Sequence, residues 1–208
     1  MAETLILIRH GEVEGSRERR FLGATDTPLT ELGKQQGRSL SERLRKEAPF
    51  AVFSSPLARA RETARLALGG LECEMRTLDD LREIHFGEWE GLTFEEAEAR
   101  DPERVRAWCE DGAGFRFPHG ESVAEFRDRV GRAGEALARC SERKGVVFAH
   151  GGVIRSLICH YLGLPMEHYL LFEVSPASWT TIRLFGERGI LTGLNDLGHW
   201  EGNRTWGA

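Results

Sequence analysis

The stretch LILIRHGEVEGS, Leu5 to Ser16, decides the fold. From Thr4 to Ile8 the run is almost unbroken apolar, the pattern of a strand buried on both faces of a parallel sheet. It then ends in Arg9, His10 and Gly11. Charged side chains ordinarily sit on solvated faces. An arginine and a histidine on the last rung of a buried strand therefore point to a site at that strand's carboxyl end.

Outward from this strand the pattern alternates. TPLTELGKQQGRSLSERLRKEA reads as a helix with Thr30 as N-cap and Leu29, Leu32, Leu40 and Leu44 on its apolar face. FAVFSS (Phe50–Ser55) is a second strand, LARARETARLAL a helix closed by Gly69 and Gly70, and CEMRTL a short third strand. Residues 79 to 121 are less regular, with short helices at Phe94–Arg100 and Pro102–Glu110. The region at about 92–120 reads as an insertion over one edge of the sheet, a lid. SVAE then forms a capping box, Ser122 with Glu125, opening a helix to about Cys140. GVVFAH is another buried strand, GVIRSLICHYLG a helix, and SWTTIRLF with GILTGLND a hairpin turning near Gly186–Gly189. This order predicts a three-layer α/β/α sandwich with a mostly parallel central sheet, a single domain over residues 1–208.

Composition narrows the partners. A net charge of −5 argues against a nucleic-acid binder, whose footprint is basic. No stretch approaches the roughly 18 apolar residues of a membrane span, and the N-terminus shows no secretory pattern. Cys73, Cys109, Cys140 and Cys159 are widely spaced, without a zinc-knuckle pair, and suit a reducing compartment. The expectation is a cytoplasmic protein that binds neither nucleic acid nor membrane.

Several chemically active residues fall at predicted strand ends. His10 and His150 each follow an apolar strand, Glu83 follows the third strand, and Arg59 and Arg61 sit in the first turn of the helix after the second. In parallel α/β sheets ligands bind outside the carboxyl ends of the strands. Helix N-termini favour anions, and arginine adds bidentate phosphate recognition. Singly, each has a plain reading: a turn histidine, a solvated arginine face, a loop glutamate. The convergence of all on one edge does not.

RHGE at Arg9–Glu12, SSPLARARET at Ser54–Thr63, LREIHFGEWEG at Leu81–Gly91 and HGG at His150–Gly152 together resemble the histidine phosphatase superfamily, the phosphoglycerate mutase-like proteins. DTPLTELGKQQG, PHGESVAEFRDRV and LND match in the same order. The resemblance implies that His10 is a phosphate-accepting nucleophile and Arg9 its clamp. It places Arg59 and His150 in the same phosphate pocket and makes Glu83 the proton donor. It puts Ser16, Leu22, Gly23 and Gly151 among the substrate contacts, Gly23 and Gly151 through backbone N–H groups, and leaves Arg61 as a surface or packing residue. It requires no cofactor and no metal. Its partner is a small phosphorylated metabolite, and a homodimer is common in the family.

The chemistry supports these roles. Two guanidinium groups disfavour the imidazolium form of His10, keeping the nucleophile neutral. They also stabilise charge on the transferring phosphoryl group. Glu83 is expected to have a pKa raised by the substrate's charge, and His150 to be a cation donating to phosphate.

The sequence departs from the mutase pattern: Ile84, His85 and Phe86 follow the glutamate, Gly152 follows His150-Gly151, and Val13 and Ser16 stand where mutases carry other residues. Each departure removes a contact that a bisphosphate-primed mutase needs, so phosphatase chemistry is expected. HFGEWEG, Trp108-Cys109 and PHGES look most like the α-ribazole phosphatase branch, which serves cobalamin synthesis. Phe86, Trp89, Trp108, Phe115 and Phe117 could stack a benzimidazole base, or could be packing residues beneath a lid. The alternatives are a phosphoglycerate mutase, a broad-specificity sugar-phosphate phosphatase and a non-enzymatic phospholigand-binding module. A zinc hydrolase using His10, His85 and His150 is a further one, with spacing that matches no common zinc site.

Overall fold

A computed structural model describes residues 1–48 and 50–200. Its centre is a six-stranded sheet of β1 (Thr4–Arg9), β2 (Ala51–Ser54), β3 (Met75–Thr77), β4 (Lys144–Ala149), β5 (Trp179–Phe185) and β6 (Arg188–Asp196). The spatial order is β3-β2-β4-β1-β5-β6. Strands β3, β2, β4 and β1 are mutually parallel, and the β5–β6 hairpin adds antiparallel to β1. The hairpin turns at Gly186 and Glu187, where Gly186 takes φ +65°, a conformation that suits glycine.

Helices cover both faces, as the strand pattern requires. On one side Leu5 and Leu7 of β1 and Val147 and Ala149 of β4 pack in a cluster with Val130, Leu137, Ile154 and Leu157. These last four come from α6 (Val123–Ala138) and α7 (Gly151–Leu162). On the other side Ile6, Ile8, Val146 and Phe148 meet Leu40, Leu44, Ala64 and Leu68. That side is built by α1 (Glu31–Ser39), α2 (Ser41–Glu47) and α3 (Ala58–Leu68). The alternation along β1 thus feeds two cores, which makes the fold a three-layer α/β/α sandwich.

Two local readings hold at the level of atoms. The Thr30 hydroxyl accepts the Gly33 N–H at 3.0 Å, and Ser122 with Glu125 forms a reciprocal capping box. One is corrected: the long first helix is broken at Leu40 into α1 and α2. Residues 92–120 hold α4 (Phe94–Arg100) and α5 (Pro102–Glu110), whose Ala97 and Val105 are buried in the first core cluster. Residues 201–208, the end of the expected 1–208 domain, lie outside the described residues. No described helix is long and apolar enough to cross a membrane.

Candidate active site

Strands β1 and β4 are adjacent and in register, Arg9 beside Ala149, so each delivers its following histidine to the same place. The rings of His10 and His150 lie 5.1 Å apart, centroid to centroid. His10 Nδ1 stands 2.7 Å from the Gly11 carbonyl oxygen, which can only accept. Nδ1 therefore carries the proton, and Nε2 keeps its lone pair. Burial, then the charges of Arg59 and Arg9, hold His10 well below the usual imidazole range. The Nδ1 contact and the burial both favour the neutral ring expected of a nucleophile.

His10 opens onto a cavity of about 970 Å³. Arg9, Ser16, Leu22, Glu83 and Gly151 line it too, so six of the predicted site residues share one wall. Arg9 Nη1 donates to the Val174 carbonyl at 2.6 Å. Burial and the charge of neighbouring Arg155 bring the Arg9 pKa down to about 10, still cationic at neutral pH. The Glu83 carboxylate accepts from the N–H of Gly152 at 2.9 Å and from its neighbour Ile84 at 3.1 Å. Helix α7 thereby fixes the acid with its own N-terminal amide. The Ser16 hydroxyl accepts the Val13 N–H at 3.2 Å and so shapes the first loop.

Arg59, His150 and Gly23 form a second layer behind this wall rather than part of it. Arg59 is fully buried. Its Nη1 donates to the Thr25 carbonyl at 2.7 Å, its Nη2 to the Gly23 carbonyl at 2.6 Å and its Nε to His150 Nδ1 at 3.2 Å. Its Nη2 also reaches the Leu22 carbonyl at 3.5 Å, so all three of its nitrogens are held by protein acceptors. The same contact corrects the expectation of a cationic His150. A ring nitrogen that accepts from a guanidinium bears no proton, so His150 is neutral and donates from Nε2 to Ser55 Oγ at 2.7 Å. Burial and the Arg59 charge depress its pKa in agreement.

Gly23 is corrected as well. Its N–H is not free for a phosphate, because it donates to Glu90 Oε2 at 3.2 Å. Glu90 also accepts from Ala24 at 2.9 Å, Thr25 at 3.3 Å and Phe86 at 3.0 Å. A Cβ on Gly23 would overlap the Ile84 carbonyl and the Glu90 carboxylate, so only glycine permits this approach. The N-terminus of α3 is likewise already occupied: the Ala58 N–H donates to the Asp26 carboxylate at 2.9 Å. Arg61 is exposed, as expected.

Of the five aromatics proposed to stack a base, only Phe86 and Trp108 line the cavity. Trp89 and Phe117 are buried, and Phe115 packs on the same core. They are consumed by edge-to-face contacts with one another, such as Phe115 on Phe117 at 5.2 Å. His85 is exposed, apart from the buried pair His10 and His150. Among the described residues no three His, Cys, Asp or Glu side chains gather as a metal site.

Several contributors escaped the sequence reading. Thr63 Oγ1 accepts the Gly11 N–H at 3.0 Å and donates to the Arg59 carbonyl at 2.7 Å, tying the nucleophile's loop to α3. Gln36 accepts the Glu12 N–H at 2.8 Å. Ser55, Thr63 and Glu90 all lie inside the motifs that carry the resemblance, which is the signal that could have found them. Arg155 lines the cavity one helical turn beyond Gly151, a spacing that puts both on one face of α7.

Comparison with known proteins shows the family. The model of the histidine phosphatase superfamily (branch 1) matches residues 5–197. A glucosyl-3-phosphoglycerate phosphatase from Mycolicibacterium vanbaalenii is 36% identical, over 86% of this chain and 83% of its own. An adenosylcobalamin/α-ribazole phosphatase from Salmonella typhimurium is 35% identical, over 94% and 98%. Among solved structures, the α-ribazole phosphatase from Shigella flexneri superposes with a TM-score of 0.83 at 32% identity, covering 93% of this chain and 96% of that one.

Proposed function

The chain belongs to branch 1 of the histidine phosphatase superfamily, and on that premise we propose that it is a metal-independent phosphatase, hydrolysing a phosphate monoester of a small metabolite through a phosphohistidine. The observation that carries this reading is the His10 ring, held neutral with its protonated nitrogen turned to the Gly11 carbonyl and its other nitrogen unprotonated, in a cavity that also holds Arg9 and Glu83.

In the first step His10 Nε2 attacks phosphorus and the bond to the ester oxygen breaks. Protonated Glu83 gives its proton to the departing alkoxide, and the alcohol leaves. In the second step water attacks the phosphohistidine while the Glu83 carboxylate takes its proton, releasing phosphate and restoring both residues. Splitting one displacement into two is the benefit of covalent catalysis. Arg9 faces the transferring oxygens. Arg59 and His150 act from behind, through the charge of the first and the ring contact of the second.

The substrate is bounded rather than fixed by similarity. The α-ribazole phosphatases support α-ribazole 5′-phosphate, a step in cobalamin synthesis, and the glucosyl-3-phosphoglycerate phosphatase supports a sugar-acid phosphate at nearly equal identity. We place the reaction in the cytoplasm. A homodimer, common in the superfamily, is the assembly to look for by light scattering.

The test is phosphate release in EDTA from p-nitrophenyl phosphate and α-ribazole 5′-phosphate, with acid-labile phosphoprotein trapped by rapid quench. Wild type is expected to turn over and to trap label, and His10→Ala to do neither. Turnover that survives in His10→Ala overturns the reading.

A further inference from the structure

We propose that Arg155 forms a second anion subsite beside the phosphoryl site, and that the preferred substrate carries a carboxylate or second phosphate on its leaving group. This rests on the phosphatase reading and names the substrate class it leaves open.

Four other arginines line the cavity, and three of them have partners. Arg17 pairs with Glu12, Arg20 with Glu96, and Arg9 donates to the Val174 carbonyl. Arg19 is an exposed loop residue. Arg155 differs from all of these. It stands on α7, anchored by its Nε to the Phe172 carbonyl at 2.7 Å, so the guanidinium is aimed by a rigid helix. Among the described residues its two Nη groups meet no acceptor and it forms no ion pair. The acids in the same wall are engaged elsewhere: Glu83 with the Gly152 and Ile84 amides, and Glu173 with the Ser175 hydroxyl at 3.3 Å. A half-buried cation with free, forked donors is an incomplete bidentate site for an anion.

Its position separates it from the phosphoryl group. A Cβ placed on Gly151 would lie 3.5 Å from Arg155 Nη1 and 3.6 Å from Arg9 Cζ, so the two guanidinium groups flank the start of α7. The charges that depress His10 are those of Arg59 and Arg9, whereas Arg155 bears on Arg9 and on Tyr169. Arg155 is thus next to the clamp and one step removed from the nucleophile. Tyr169 and Leu170 lie in the same cavity wall. A leaving group that carries its own negative charge would complete this arrangement, whereas a neutral one would leave the Arg155 guanidinium without an anionic partner.

The matched pair 3-phosphoglycerate and glycerol 3-phosphate tests it, because they differ by a carboxylate in place of a hydroxymethyl group. Calorimetric binding and kcat/KM are measured for both on wild type, Arg155→Met and Arg155→Lys, with p-nitrophenyl phosphate turnover alongside. Wild type is expected to favour 3-phosphoglycerate by roughly 10- to 100-fold, the range of one charge-assisted hydrogen-bonded pair. Arg155→Met should bring that ratio near one, and Arg155→Lys should recover part of it. An equal loss on both ligands would assign Arg155 to the transferred phosphoryl group and overturn the proposal, as would an unchanged ratio or no wild-type preference. Binding selectivity without turnover of any ester sinks the phosphatase reading and leaves the subsite standing. A melting curve for each variant identifies misfolding, in which case Arg155→Lys carries the comparison.

Discussion

Acidification should destabilise this protein through the same two rings that define its site. His10 is 4% exposed and His150 fully buried, and both are held neutral well below the ordinary imidazole range. In the unfolded chain each takes up a proton as the pH falls through about 6.5, while the folded protein does not. The unfolded state then binds more protons, so stability is complete above that pH and declines below it, toward the depressed folded value. Each ring contributes a loss of at most about 2 kcal/mol between pH 7 and pH 5, a ceiling set by the unfolded imidazole's pKa of about 6.5 alone. Urea titrations of wild type, His10→Gln and His150→Gln at the two pH values isolate the effect. Each variant should lose less than wild type on acidification, by up to about 2 kcal/mol, because one buried neutral imidazole has been removed. His160 and His199, also depressed by burial, are common to all three proteins and cancel. A variant that loses as much stability as wild type would show that its ring was protonated in the folded protein, and the neutral-nucleophile argument would fail with it. The acid limb of kcat/KM should correspondingly lie below the pKa of free imidazole.

Two substitutions probe the framework. Gly152→Ala sets a Cβ 2.5 Å from Glu83 Oε1, so the carboxylate must move, and kcat should fall by roughly 100-fold or more, as for loss of a general acid; a near-wild-type kcat would show that Glu83 is not positioned by α7. Glu90→Gln turns one acceptor into a donor facing the amides of Gly23, Ala24, Thr25 and Phe86. It should cost about 1–3 kcal/mol in urea and raise the acid limb of kcat/KM as Arg59 loosens; a stability loss with an unmoved limb would confine Glu90 to a structural role.

The parts of this fold that were legible are those where one residue type answers to one environment. β1 from Leu5 to Ile8 and β4 from Val146 to Ala149 are apolar because both faces are covered, and the Thr30 and Ser122 caps answer to unpaired helix amides. The second layer was illegible for a specific reason: the groups that hold Arg59 are the carbonyls of Gly23 and Thr25, and backbone atoms leave no mark on residue identity. The aromatic segment failed differently. Trp89, Phe115 and Phe117 are the residue types that stacking requires, and also those that an edge-to-face core requires, and only the packing shows which face of the cluster meets the cavity.

Arg59 explains why the site needs two layers. Burying a cation completely costs several kcal/mol unless its donors are satisfied. A carboxylate partner would satisfy them but cancel the field that keeps His10 neutral. Here the partners are three carbonyls, of Leu22, Gly23 and Thr25, and an imidazole, which solvate the guanidinium without neutralising it. The acids whose charge reaches Arg59 are held in bonds of their own: Glu83 to the Gly152 and Ile84 amides, Asp26 to the Ala58 amide, and Glu90 to four amides of the surrounding loops. Two of them, Asp26 and Glu90, fix the loop that supplies the carbonyls, so negative charge supports the cation by shaping its cage. That division also accounts for arginine over lysine at this position, since a single ammonium on a flexible stem cannot span acceptors on three sides in one plane.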